Sequence, residues 1–321
     1  MAPAVSIIMP TFGRLEFLQA TIDSAFAQTF TDWELIIADD GSIGETRAFL
    51  QELQESERVK VIWLAHTGRP GAVRNAALRV ARGNHVAFLD SDDVWLPTKL
   101  ATQIASLRRH ATRKWSYTRF SQIDRSGHRR AAGSVRSWPA PSGWILEKLL
   151  KEETVIALPS VVVSRALLEQ AGAFDEKLVM CEDDELWLRL ATHSEIDGID
   201  APLTVVRRHG QHAGSDIIAW RDRRRVFEKA LRRNDCGSFA PTLRKLRAEM
   251  AAGLARSQAV SGKRLAAVWT LLSSASYCWR FPRPWIGALG RTARACVPRA
   301  VQSFLRRYLH GERVQSTVPR S

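Results

Sequence analysis

The chain has 321 residues, 45% hydrophobic and 25% charged, which excludes a disordered polymer and allows one large or two small domains. Its formal net charge of +14 is uneven: residues 1–216 hold 25 Lys and Arg against 28 Asp and Glu, whereas residues 217–321 hold 22 against 5. The basic balance therefore belongs to the tail, and four scattered cysteines (Cys181, Cys236, Cys278, Cys296) fit neither a disulfide framework nor a zinc site.

Two hydrophobic periods alternate over the first 110 residues. Val5–Met9 reads as a buried strand, and Leu15, Leu18, Ile22 and Phe26 mark one face of a helix. Glu34–Ala38 is a second strand, Gly44–Ser56 a helix, and Val59–Leu64 a third strand. Pro70 suits the first turn of a helix over Pro70–Arg82. Val86–Leu89 follows as a strand, then Pro97–Arg109 as a helix with Leu100, Ile104 and Leu107 in register. Strands apolar on both faces, alternating with helices, predict an α/β fold with a mostly parallel sheet wrapped by helices.

Beyond residue 110 the pattern loosens. Trp115–Ile123 reads as a strand, and Asp124–Gly143 as a long polar loop. Leu158–Val163 and Leu203–Arg208 read as strands, with helices at Arg165–Ala171 and Glu182–Ala191. In that last helix Glu185 and Arg189 are expected to form an exposed i,i+4 ion pair. From residue 217 the chain reads as helical. The expected domains are 1–216, divided into halves 1–110 and 111–216, and a basic helical region over 217–321. Met-Ala-Pro-Ala leads straight into a strand, which predicts no signal peptide. The longest uncharged tail run, Leu265 to Trp279, is shorter than the roughly 20 apolar residues of a spanning helix.

Four polar loops follow predicted strands: TFGR at 11–14, DDGS at 39–42, AHTGRPGAVRN at 65–75 and DSDD at 90–93. All fall at C-terminal strand ends, the edge where open α/β sheets bind ligands. Asp90, Asp92 and Asp93 crowd four positions, and like charges so close call for a cation among them. Hard divalent cations take oxygen ligands, commonly one or two carboxylates plus substrate phosphates. A helix N-cap turn accounts for the same residues. Asp39 and Asp40 suit hydrogen bonds from a base or ribose, or an ordinary turn. Gly68–Asn75 places Arg74 to face an anion, or packs a helix. At Cys181–Leu190 the acids crowd a helix N-terminus, where the dipole favours each by about 0.3–1 kcal/mol. A carboxylate there is either a general base or a cap. Arg207–His212 ends the last strand, and His209 or His212 there meets a diphosphate or a metal, or is structural.

The order SIIMPTFGR, WELIIADDGS, GRPGAVRNAAL, GNHVAFLDSDDVWLP, GAFDEKL…CEDDELWLRL and RRHGQHAGS resembles family 2 glycosyltransferases, over residues 4 to about 215. The resemblance implies a GT-A fold with a helical C-terminal extension, a nucleotide-diphospho-sugar donor, a divalent cation (Mg²⁺ or Mn²⁺) and inversion at the anomeric carbon. It implies that Pro10, Thr11 and Asp40 line the nucleoside pocket, with Asp39 and Arg74 beside it. Asp90 and Asp92 match the two acids of the family's Asp-x-Asp motif, Asp92 nearest the metal. Asp183 matches the catalytic base, although Asp184 adds a third acid beside it. His209 falls near the diphosphate, with His212 competing, and Glu182 and Trp187 fall near the acceptor or behind the base.

The tail mixes arginine with Trp269, Tyr277, Trp279, Phe281 and Trp285. That composition suits a helix lying on an anionic membrane, or a helical cap with a solvated basic face. No nucleic-acid motif accompanies the charge, so no nucleic-acid partner is expected. The expected location is cytoplasmic, or peripheral on the inner face of the plasma membrane, with a saccharide or lipid-linked saccharide acceptor in envelope polysaccharide assembly and UDP as the default carrier. The rival readings are an inactive nucleotide-sugar-binding scaffold of the same fold and a nucleotidyltransferase. The second would require a glycine-rich, Lys/Arg-bearing loop after the first strand, which TFGR is not.

Overall fold

Val5–Thr11 forms β1 and Trp33–Asp39 forms β2, paired in parallel from Val5↔Trp33 to Thr11↔Asp39. Every β2 residue is buried, as expected of a central strand covered on both faces. The computed structural model describes residues 2–129, 138–208, 216–233 and 237–278, together with Arg280, Phe281, Ile286 and Gly290. Between the first strands runs α1 (Leu15–Phe26), followed by α2 (Gly44–Leu53), β3 (Val59–Trp63), α3 (Pro70–Leu78) and β4 (His85–Phe88). β1 to β4 are mutually parallel, and their apolar side chains share one core with Leu18, Ile22 and Leu50 of the helices.

Two polar residues, Ser6 and Glu34, lie inside this core edge. Glu34 of β2 accepts hydrogen bonds from Ser6 Oγ (2.7 Å) and Arg82 N (2.7 Å), and from the Arg82 guanidinium at 3.0 and 3.1 Å. Ser6 Oγ in turn accepts from Gly83 N (2.8 Å). The network ties β1 and β2 to the turn that starts β4.

The remaining elements are β5 (Val94–Trp95), α4 (Lys99–Arg109), β6 (Arg113–Asp124), α5 (Leu146–Leu150), β7 (Val161–Ser164), α6 (Arg165–Ala171), α7 (Glu182–His193) and β8 (Glu195–Arg208). The sheet order is β3-β2-β1-β4-β7-β6-β8-β5, with β7 antiparallel to both neighbours and β5 antiparallel to β8. A mixed, mostly parallel sheet flanked by helices results.

Several boundaries differ from the sequence reading. β5 was not foreseen, because two residues make no period, and it exists only through Val94↔Val205 and Trp95↔Thr204. β8 begins at Glu195 rather than Leu203, since Gly198, Asp200 and Pro202 read as turn residues, yet Gly198 pairs with Tyr117 and Pro202 with Arg119 of β6, and Asp200 falls in a register shift between Ile199 and Pro202. Glu185 and Arg189 of α7 form a buried pair, not the exposed one expected. Arg189 donates to Glu185 Oε2 (2.7 and 2.9 Å) and to the carbonyls of Ala171, Gly172 and Ala173 at 2.5–2.7 Å. It satisfies acceptors left over at the C-terminus of α6, a demand invisible from α7 alone.

The chain forms two compact units, Met1–Gly214 with Lys229–Ala240, and Ser215–Glu228 with Pro241–Ser321. The second is helical among its described residues: the first part of α8 (Asp216–Arg233), then α9 (Ala240–Val260) and α10 (Arg264–Cys278). Small residues of α9 meet α10, with Ala252 and Ala255 against Leu271, and Ala248 and Ala251 against Cys278. Gly253 lies under the Trp220 ring, where a Cβ would overlap it.

Candidate active site

The C-terminal ends of β1, β2, β3 and β4 converge on one cavity of about 400 Å³. Its walls carry Pro10 and Thr11 at the end of β1 and Phe12 and Arg14 after it, Asp40 after β2, His66 and Gly68 after β3, Arg74 from α3, and Asp90, Ser91 and Asp92 after β4. The four loops singled out in the sequence thus meet in space.

The loops are held largely by bonds to one another. Gly13 adopts φ +59°, a conformation open to glycine, and its N–H donates to Ser42 Oγ (2.9 Å). Ser42 N donates to Asp39 Oδ2 (2.9 Å), so the fully buried Asp39 braces the loop from below and does not line the cavity. Asp40 accepts from Thr67 N (2.8 Å), Thr67 Oγ1 (3.0 Å) and Gly68 N (2.9 Å), which fixes the loop after β3. His66 stacks on Phe12 with ring centroids 4.1 Å apart. Gly41 (φ +88°) is needed here, because a Cβ would stand 3.0 Å from His66 N.

The three crowded acids after β4 resolve into two different states. Asp90 accepts from Arg74 Nη2 (2.6 Å), and Asp92 is ion-paired with Arg14. Asp93 accepts from Arg207 N (2.7 Å), and burial, with Asp92 and Asp90 nearby, pushes its carboxyl well above the usual range. Two of the three carboxylates are neutralised by guanidinium groups and the third is held toward its protonated form.

Arg74 is the hinge of the arrangement. Its buried guanidinium donates to Asp90 and, through Nη1, to Glu182 Oε1 (2.7 Å) at the start of α7. Burial opposes its charge, but the two carboxylates outweigh that and hold it firmly protonated. Arg74 was expected to border the nucleoside pocket. It lines the cavity with its guanidinium already committed to two acids.

Glu182 therefore anchors Arg74, and Asp183 follows it, half-buried. Cys181, in the left-handed region at φ +61°, turns the chain into α7 and places these acids in its first turn. Burial, with Asp184 and Glu182 alongside, pushes the Asp183 carboxyl well above its ordinary value, while Asp184 N donates to its Oδ1 (2.9 Å). Asp183 does not line the 400 Å³ cavity; it connects to it through Glu182, Arg74 and Asp90. Trp187, a candidate for acceptor contact, lies instead in the core at 2% exposed, stacked on Trp115 at 5.8 Å and near Phe88. Its position in the second turn of an amphipathic helix puts it on the inward face. His209 and His212 lie outside the described residues.

Sequence reasoning missed Arg14 and His66 as site residues. Both stand in loops it had marked, and the available signal was position after a strand, since neither belongs to a recognisable motif alone.

Among the described residues no group of three or more His, Cys, Asp or Glu is placed to hold a metal ion. Asp90 and Asp92 supply oxygen ligands on one wall, a donor set that fits a hard cation sharing its remaining ligands with a diphosphate.

The family model for glycosyl transferase family 2 matches residues 6–163. The chain is 33% identical over 196 residues to the UDP-Glc:alpha-D-GlcNAc-diphosphoundecaprenol beta-1,3-glucosyltransferase WfgD of Escherichia coli, covering 61% of this chain and 73% of that one. It is 32% identical over 190 residues to the putative teichuronic acid biosynthesis glycosyltransferase TuaG of Bacillus subtilis, covering 59% and 72%. Among solved structures, S. aureus TarS 1-349 in complex with UDP-GlcNAc aligns with a TM-score of 0.62 at 22% identity, covering 97% of this chain and 86% of that one. The chain covers 52% of the longer TarS structure, with a TM-score of 0.60 at 22% identity. The fold is thus shared with a GT-A protein.

Proposed function

The chain belongs to glycosyl transferase family 2 and is a glycosyltransferase, and we propose that it moves a sugar from a UDP-sugar to a hydroxyl of a lipid-linked saccharide in envelope polysaccharide assembly. The observation that carries this reading is the meeting of Pro10, Thr11, Asp40, Asp90 and Asp92 on one cavity from three separate strand ends. The UDP-Glc and diphosphoundecaprenol in the name of the E. coli relative support the donor and acceptor classes.

Pro10, Thr11 and Asp40 border the nucleoside, with Asp39 supporting the loop beneath. Asp90 and Asp92 would hold a divalent cation, Mg²⁺ or Mn²⁺, against the diphosphate. Such a cation offsets the diphosphate charge and makes it a better leaving group. Asp183 takes the proton of the acceptor hydroxyl. The hydroxyl oxygen bonds to the anomeric carbon as the bond to the phosphate oxygen breaks, and the electron pair leaves with the diphosphate. Attack from the opposite face inverts the centre. The raised proton affinity of Asp183 suits a base that must capture a proton during attack. Glu182 and Arg74 keep the base-bearing helix in register with Asp90.

Thermal unfolding with UDP, GDP, dTDP and CDP, each with and without Mn²⁺, tests the donor site. A ligand at 100 times its dissociation constant stabilises the fold by about 2.7 kcal/mol. UDP is expected to give a Mn²⁺-dependent shift that Asp92→Ala abolishes. A shift with another nucleotide alone would replace UDP, and no shift with any would remove the donor-site reading.

A further inference from the structure

Four large apolar side chains of α10 point outward: Leu265, Val268, Trp269 and Leu272 are 88%, 41%, 71% and 66% exposed. Their i, i+3, i+4, i+7 spacing sets them on one face of the helix. The opposite face is already used, since Ala267, Thr270, Leu271, Ser274 and Cys278 are buried. Thr270 Oγ1 also donates to Gln258 Oε1 of α9 (2.8 Å), fixing the rotation of α10. The outward side is therefore a second apolar face on a helix whose core face is complete. In water such a face is expected to be charged.

Charge identifies what covers it. Residues 250–311 contain ten Lys and Arg and no Asp or Glu. Lys263 and Arg264 stand exposed at the entrance to the apolar face. An apolar face flanked by exposed Lys263 and Arg264, on a stretch of chain that carries no acid, is complementary to a surface with an apolar interior and an anionic skin. A second copy of this chain would bring like charges together, which disfavours association. α10 has 15 residues, about 22 Å of helix, and no helix among the described residues is long and apolar enough to cross a membrane.

We propose that the Leu265–Val268–Trp269–Leu272 face of α10 lies in the plane of an anionic bilayer, its apolar side chains at the acyl boundary and its basic neighbours among the headgroups. The proposal extends the reading of a lipid-linked acceptor by naming the surface that brings the enzyme to it. Vesicle binding needs neither donor nor acceptor, so failure here and failure of the donor site are separate results.

The test is flotation of the full chain with phosphatidylcholine vesicles, with and without about 30 mol% phosphatidylglycerol, for the wild type and a Leu265→Gln, Trp269→Gln, Leu272→Gln triple variant. The wild type is expected to float with anionic vesicles only, and less so at high salt. The triple variant should bind about tenfold more weakly or worse, with an unchanged Tm and an unchanged nucleotide shift. Trp269→Gln alone, the least disruptive variant, should lose part of the binding. Equal binding by the triple variant, or no binding by the wild type, overturns the proposal. Wild-type self-association that the triple variant abolishes, without vesicle binding, would assign the face to a second copy.

Discussion

Arg14 and Asp92, 78 positions apart in the sequence, form an ion pair on the cavity wall, with Asp92 buried and Arg14 34% exposed. Beside them Arg74 and Asp90 form another pair, but there the guanidinium is only 5% exposed and also bonded to Glu182. One guanidinium is built in. The other reaches from solvent and can be exchanged.

In the donor site proposed above, a cation arriving at Asp92 would displace Arg14, and the freed guanidinium could then meet the diphosphate. Arg14→Gln should therefore bind Mn²⁺ alone about fivefold more tightly, the scale of a partly exposed ion pair. Its Mn²⁺-dependent affinity for UDP should fall. Calorimetric titration of each ligand, alone and together, measures both effects, and unchanged Mn²⁺ binding would mean that Arg14 does not compete.

Burial, Asp184 and Glu182 hold the Asp183 carboxyl well above the ordinary carboxylate range. In the base role proposed for Asp183 the carboxyl must be ionised to act, so kcat/KM should rise with pH through that elevated value. Asp184→Asn removes a negative neighbour, makes ionisation easier, and should move the rise to lower pH. Asp183→Asn should cost about 10²–10⁴-fold in turnover while still binding nucleotide. An Asp183→Asn enzyme with near-normal kcat would transfer the role to another acid.

Glu34 makes an acid-dependent contribution to stability. Burial opposes its charge, but hydrogen bonds from Ser6 and Arg82 prevail and hold its pKa below the ordinary value. With the folded pKa depressed, the stabilisation is complete above the unfolded value of about 4.3 and is lost as pH falls through the folded pKa. Glu34→Gln should cost about 1–3 kcal/mol at pH 7 and flatten the acid side of the Tm–pH curve. Parallel curves for variant and wild type would contradict this.

Lys99 is a buried amine over the Trp95 ring (4.1 Å), and its Nζ has no hydrogen-bond partner among the described residues. Burial pushes its pKa well below the ordinary lysine value. Lys99→Met keeps the stem and removes the desolvated amine, so Tm should hold or rise, by up to about 2 kcal/mol in stability. A loss of similar size would mean that the cation–π contact, worth about 2 kcal/mol when desolvated, dominates.

The alternation of strands and helices over the first 110 residues was legible in the sequence, because β1, β2 and the helix between them form by local period, which buries both strands and Leu18 and Ile22 of α1 while Phe26 at its end stays exposed. The loops that meet at the cavity were legible for the same reason, since strand direction alone sends TFGR, DDGS, AHTG and DSDD to one edge. What the loops do to one another was not. Asp90, Ser91, Asp92 and Asp93 are one acidic run in the sequence, yet the fold gives Asp90 to Arg74, Asp92 to Arg14 and Asp93 to the backbone of Arg207. Likewise the spacing of Glu185 and Arg189 describes a helix surface, and only the arrival of the α6 carbonyls makes it an interior. A period records the environment a segment needs. Which charge meets which is set by contacts between segments distant in the chain, and in a low-dielectric interior those contacts decide each group's state.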